Sequence, residues 1–376
     1  MEAQMNTKEA ESQFLELVQI DSLSFQEGKI ARRLAEILKG YGCTVRFDDA
    51  STALGGETGN LIAHMPGNPV RPTVLLTSHM DTVVPGTGIK PQIDEQGVVW
   101  SDGSTVLGAD DKAGLTAILL ALKVLSSSHV DEHCPIDIVF TIAEEQGLQG
   151  SRQVDCTALD SKVGLCLDSS GSLGTIVVAG PTQVKWSAEF RGRAAHAGVA
   201  PERGVSAIKM AATAVSRMPH GRLSANTTVN VGSFVGEGPT NVVRDRVTLQ
   251  GEARGLDEEE LWPVVRNMEQ IFQETASEFG GSVQFREEKM YSGFSFGEDS
   301  HLRRVVEKAM ESVGLQPFAV KSGGGSDANI FTQNGIPTLN VGIGYEDIHS
   351  TSEHVALSDI VRAAKVTEAF CRLYGR

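Results

Sequence analysis

The chain has 376 residues, 40% hydrophobic and 22% charged, with 48 Asp and Glu against 33 Lys and Arg and a net charge of -15. That length is roughly two to three times a typical domain, and that apolar content builds a buried core, which excludes a disordered or fibrous chain. So acidic a balance disfavours nucleic acid and anionic membranes as partners.

No stretch reaches the roughly 18 apolar residues of a membrane span, and Lys8, Glu9, Glu11 and Glu16 leave no apolar signal-peptide core near the start. Five scattered cysteines without a CxxC pair argue for a reduced, cytoplasmic setting rather than a disulfide framework or a thiolate zinc site.

The first element is a helical pattern around Phe14, Leu17 and Val18. Ser24 to Glu27 reads S-x-x-E and predicts a capping box at the start of a helix with Ile30, Leu34, Ile37 and Leu38 on one face, stopped near Gly42. Short apolar runs follow at Leu61–Ala63, Val74–Leu76, Ile136–Ile142 and Val163–Leu167, as in strands buried on both faces, with a helix carrying Leu115, Ile118, Leu119 and Leu122 between two of them. This order predicts an α/β unit: a mostly parallel sheet with helices on both faces.

The pattern changes at Gly180–Pro181. Val184 to Arg191 alternates apolar and polar, a helix pattern covers Val205–Met218, and alternating segments follow at Thr228–Phe234 and Val247–Ala253. A helix over Glu258–Phe279 and a strand at Ser282–Arg286 complete a smaller antiparallel α+β unit, residues 181–292, inserted into a first domain made of residues 1–180 and 293–376. A helix at Leu302–Val313 and a buried strand at Thr338–Ile343 belong to that first domain again.

Four acidic or histidine clusters fall at strand or helix ends. His79-Met80-Asp81 follows Val74–Leu76, Asp110-Asp111 opens the Leu115 helix, Glu144-Glu145 follows Ile136–Ile142, and Asp168 ends Val163–Leu167. Ligands of open α/β sheets bind outside the carboxyl ends of the strands. Carboxylates gathered there would repel one another and be costly to desolvate unless one or two divalent metals held them. Mixed imidazole and carboxylate donors suit zinc, cobalt or manganese better than magnesium or calcium. In an adjacent Glu-Glu pair, one carboxylate can bind metal while the other stays free as a general base toward a water whose pKa the metal lowers to about 7.

The segments SHMDTV (Ser78–Val83), LGADDKAG (Leu107–Gly114), IAEEQGLQGS (Ile142–Ser151), LDSSGSLGT (Leu167–Thr175), GGGSDANIF (Gly323–Phe331) and IHSTSEHV (Ile348–Val355) resemble, in order and over nearly the whole chain, the dinuclear zinc exopeptidases, and among them the peptidase T (aminotripeptidase) family. The resemblance implies two divalent metals, zinc foremost. His79, Asp110 and Asp168 would hold one, and Asp110, Glu145 and His349 the other. It further implies Glu144 as general base, Asp81 supporting His79, and a cis peptide after Asp110. In the resembled family the ligand histidine is followed after three residues by Glu, which implies His349 rather than His354.

The same resemblance makes residues 181–292 a lid and dimerisation domain. His196 would polarise the scissile carbonyl in the partner's site, and Asn241 and Arg254 would contact substrate. Pairing of two Val184–Arg191 strands edge to edge is the expected dimer contact. The implied activity is release of the N-terminal residue from short peptides. An amidohydrolase acting on dipeptides or N-acyl amino acids is the alternative, and a non-catalytic scaffold a more distant one. Gly323–Gly325 lacks the following Lys of a phosphate loop and reads as a tight turn. Trp100, Trp186 and Trp262 read as core.

Overall fold

The computed structural model describes residues 5–376. The chain divides into two compact units, one comprising residues up to Val178 with Ser295–Lys321 and Ser326–Arg376, the other Ala179–Phe294 with Ser322–Gly325.

In the first unit four strands run parallel, in the order Ile136–Thr141, Val74–His79, Val163–Ser169, Thr338–Gly342. All six residues of Val74–His79 and of Ile136–Thr141 are buried, which explains why the sequence there is uninterrupted rather than alternating. Leu61–Met65 extends the sheet antiparallel to Ile136–Thr141, and Thr44–Phe47 adds antiparallel beyond it. The helix Ala109–Ser126 is buried over most of its surface, packed with Thr7–Val18 and Leu357–Leu373 in the main core. Its close approach to the sheet depends on Gly114, where a Cβ would stand 2.2 Å from the Leu167 carbonyl oxygen, so the helix start and the end of the neighbouring strand converge.

The predicted capping box is not formed. The helix runs Gly28–Gly40 with Glu27 as its N-cap and no side-chain cap bond. The Ser24 hydroxyl donates instead to Asp81 Oδ2 at 2.6 Å, and Glu27 accepts from the amides of Phe25 and Ala143, both at 2.9 Å. Phe25 sits at φ 71, a turn that carries the chain away from the helical path the cap would need.

The second unit is a five-stranded antiparallel sheet in the order Gly221–Arg222, Thr227–Val235, Arg246–Gly255, Thr182–Arg191, Ser282–Tyr291. Helices Ala207–Arg217 and Glu258–Glu278 cover one face and bury Val184, Trp186, Ala188 and Phe190 with Met210, Val265 and Phe272. Trp186 lies edge-on to Phe272 at 5.8 Å, a core role as its alternation predicts. The expected edge strand is a correction: Thr182–Arg191 is bonded on both sides, to Arg246–Gly255 and to Ser282–Tyr291. Its amides and carbonyls are already spent, so it cannot add a strand from a second subunit.

Candidate metal centre and active site

The parallel strands deliver their C-terminal ends to one rim. His79 is the last residue of Val74–His79, Asp168 the sixth of Val163–Ser169, and Glu144 and Glu145 lie just beyond Ile136–Thr141. Asp110 enters from the first turn of Ala109–Ser126, where its φ/ψ of -80/101 departs from helix and the Asp110–Asp111 peptide is cis. His349, at φ 60, comes from the loop after Thr338–Gly342.

These side chains converge. His79 Nε2 lies 3.1 Å from Asp110 Oδ1 and 3.8 Å from Asp168 Oδ1, while His349 Nε2 lies 2.8 Å from Glu145 Oε1 and 3.4 Å from Asp110 Oδ2. Asp110 therefore turns one oxygen to each histidine. Donor atoms at about 2.0–2.2 Å around a tetrahedral metal stand roughly 3.4 Å apart, and the observed separations straddle that value. His79–Asp110–Asp168 and Asp110–Glu145–His349 each bring their donor atoms within 4.8 Å of one another, as does His79–Glu144–Glu145. The donor set and its spacing fit divalent metal.

Asp111 faces away from the rim, accepting from Ser78 Oγ at 2.5 Å and from Gly114 N at 3.2 Å. His354 stacks on Trp100 with ring centroids 3.9 Å apart, a packing contact away from the donor groups.

The tautomer of His79 follows from its surroundings. Nδ1 lies 2.9 Å from the Asp81 backbone carbonyl, which can only accept, so Nδ1 carries a proton and Nε2 is the nitrogen turned to the rim, free to ligate once a metal replaces its proton. The Asp81 carboxylate, 3.4 Å from Nδ1, accepts instead from the Ser24 hydroxyl at 2.6 Å and from the amides of Glu144 at 3.0 Å and Glu145 at 3.3 Å. It steadies the glutamate turn more than the imidazole.

The electrostatics describe a cluster under tension. Burial pushes the Glu144 and Asp168 carboxyls well above the usual range, and neighbouring carboxylates add to it. Burial acts the same way on Asp110, but the hydrogen bonds from His349 and His79 outweigh it and hold Asp110 low. Bonds to Asp110 and Glu145 raise His349 to about 10. Divalent cations held here would relieve both sets of shifts together, by balancing the carboxylates and taking the place of protons on the imidazoles.

Three supports went unrecognised in the sequence. Glu353, 2% exposed, accepts from Gly108 N at 2.7 Å and Asp110 N at 2.8 Å and so fixes the start of the Asp110 helix. Tyr345 donates its hydroxyl to Asp168 Oδ1 at 3.2 Å, and Asn340 Oδ1 accepts from Asp168 N at 3.0 Å. The Glu of IHSTSEHV was a visible signal for the first; nothing local marks the other two.

In the inserted unit His196 is exposed. Its Nδ1 accepts from Gly198 N at 3.2 Å and Val199 N at 3.1 Å, which leaves Nε2–H outward as a donor. Asn241 is also exposed, and its carbonyl accepts from Ala197 N at 2.9 Å. Arg254 is forked onto Glu252, with Nε to Oε1 at 2.9 Å and Nη2 to Oε2 at 3.2 Å, and its Nη1 donates to Gly323 O at 3.2 Å.

Residues 75–373 match the model of peptidase family M20/M25/M40. The chain belongs to that family. It is 42% identical to the protein YqjE of Bacillus subtilis over 97% of this chain and 98% of that one. The crystal structure of the aminopeptidase PepT of Bacillus cereus superposes with a TM-score of 0.92 at 42% identity, covering 99% of this chain and 100% of that one. A tripeptidase structure from Staphylococcus aureus gives 0.94 at 38% identity with full coverage of both. The family and the fold class implied by the motifs are therefore both found, and the chain is a peptidase.

Proposed function

We propose that this peptidase is a metal-dependent aminopeptidase that releases the N-terminal residue of tripeptides. The observation that carries the reading is Asp110, one carboxylate with an oxygen turned to each of two histidines, in a chain closely similar to proteins named aminopeptidase PepT and tripeptidase. His79, Asp110 and Asp168 would hold one ion, and Asp110, Glu145 and His349 a second. Zinc suits these donors, with cobalt or manganese as substitutes. Such a pair supplies a Lewis acid for the scissile carbonyl and a strongly nucleophilic water near neutral pH.

The remaining steps belong to the chain. Glu144 takes a proton from the attacking water as the oxygen–carbon bond forms, and passes it to the amide nitrogen as the carbon–nitrogen bond breaks. Its carboxylate lies within 4.8 Å of the His79 and Glu145 donor atoms, close enough to reach a water held at the rim. The complete donor set, with Glu144 beside it, favours a working enzyme over a scaffold.

Residues 181–292 would serve as lid and dimerisation domain to a catalytic domain of residues 1–180 and 293–376. His196, with Nε2–H outward, is a donor for the oxyanion. Asn241, paired with the same loop, would contact the substrate backbone, and Arg254 its carboxylate in exchange for Glu252.

With Thr182–Arg191 internal, the free edges of the sheet are Ser282–Tyr291 and the part of Thr227–Val235 beyond the short Gly221–Arg222 strand, and the second is the edge we assign to a second subunit. Beyond Val229 no described strand pairs its outer side, and it ends in Phe234 and Val235, 42% and 51% exposed, with Ile208 also exposed at 42%. A homodimer through that edge would let His196 serve the opposite site. Mixing inactive His196→Ala with inactive Glu144→Gln should then restore activity, because a mixed dimer contains one intact site. No recovery after confirmed subunit exchange rules out service in trans.

No described helix is long and apolar enough to cross a membrane. Five free cysteines, four of them buried, support a cytoplasmic setting. The substrate is decided by a panel of tripeptides, dipeptides and N-acetyl amino acids given to metal-loaded enzyme. Free N-terminal residue plus dipeptide is the expected product, whereas faster cleavage of dipeptides or N-acetyl amino acids would make the protein an amidohydrolase of the alternative kind.

A further inference from the structure

The turn that carries Glu144 and Glu145 is moulded by side chains from three distant places. Four consecutive amides donate outward: Ile142 to Asn60 Oδ1 at 3.0 Å, Ala143 to Glu27 Oε1 at 2.9 Å, Glu144 to Asp81 Oδ1 at 3.0 Å and Glu145 to Asp81 Oδ2 at 3.3 Å. Ala143 itself is fully buried and sits at φ 47, a conformation an alanine keeps only where its surroundings impose it.

Glu27 is the least expected member of this set. It is fully buried at the start of a helix that it does not cap through its side chain. One oxygen, Oε1, accepts from both Phe25 N and Ala143 N. The other, Oε2, is buried with no hydrogen-bond partner among the described residues. A buried carboxylate is costly, and here its hydrogen bonds go to two left-handed residues, Phe25 at φ 71 and Ala143 at φ 47.

We propose that Glu27 is a positioning residue for catalysis: by accepting from Ala143 N it fixes the left-handed turn from which Glu144 and Glu145 project, while Ser24 steadies the adjoining Asp81. This rests on the reading of Glu144 as the base. Burial first, then the nearby Asp81, raises the Glu27 carboxyl to about 7. Oε1 accepts from both amides whether or not the group is charged, so an amide side chain does the same work.

The test compares Glu27→Ala, Glu27→Gln and Glu144→Gln, each confirmed folded and metal-loaded, on a tripeptide. A misplacement of about 1 Å costs up to roughly 10²-fold in rate, so Glu27→Ala should lose about 10- to 100-fold in kcat with KM changed by less than about threefold, and Glu27→Gln should recover to within about threefold of wild type. Wild-type kcat in Glu27→Ala, or equal loss in Glu27→Gln and Glu27→Ala, overturns the proposal. Should Glu27→Ala fail to fold, Glu27→Asp, one methylene too short to reach Ala143 N, replaces it with the same expectation and the same refutation. An active Glu144→Gln refutes the base instead; an inactive Glu144→Gln beside a fully active Glu27→Ala refutes the positioning role alone.

Discussion

Glu144→Gln should leave the fold and the metal content intact and lower kcat by roughly 10²- to 10⁴-fold, the span that one general base contributes. The substitution keeps the shape of the side chain and removes only its capacity to take a proton. Glu144 N stays bonded to Asp81 Oδ1 because that bond involves the backbone, so the turn survives. Activity lost with stability kept is the signature of a group retained for chemistry. Metal analysis, thermal unfolding and steady-state kinetics on one preparation measure all three; substantial turnover would move the base elsewhere.

Asp110→Ala should fail differently. Its two oxygens face both histidines, so its loss removes a donor from each group at once and leaves His79 and His349 without the partner that raises their proton affinity. Expected are near-background activity at any practical metal concentration and, after dialysis, no more than about one metal per chain. Two tightly held metals in Asp110→Ala would disprove the bridge. By contrast, Glu353→Gln keeps an acceptor for only one of Gly108 N and Asp110 N and turns an NH2 donor to the other, so the same dialysis should show metal binding weakened but not abolished.

The sequence announced much of the site because strands that are buried on both faces are easy to recognise and place their last residues at the rim. His79, Asp168, Glu144 and Glu145 were legible for that reason, and the motif order supplied Asp110 and His349. What was not legible depends on contacts far along the chain. Ser24 and Glu27 looked like a local cap, yet their partners Asp81 and Ala143 lie 57 and 116 residues away. Alternation in Val184–Arg191 correctly assigned the faces of the strand, with Trp186 and Phe190 inward, but carries no information about which strands lie beside it. Tyr345 meets Asp168 across 177 residues, a pairing that no local spacing could suggest.

The most direct test of the central claim is a metal titration of chelated enzyme, with metals per chain and the rate of N-terminal release from a tripeptide read on the same samples. Activity should be absent without metal and rise as zinc fills the His79–Asp110–Asp168 and Asp110–Glu145–His349 groups, reaching its plateau at about two ions per chain. Full peptide hydrolysis by enzyme shown to be free of metal, or a metal-loaded enzyme that cleaves no tripeptide, would contradict the account.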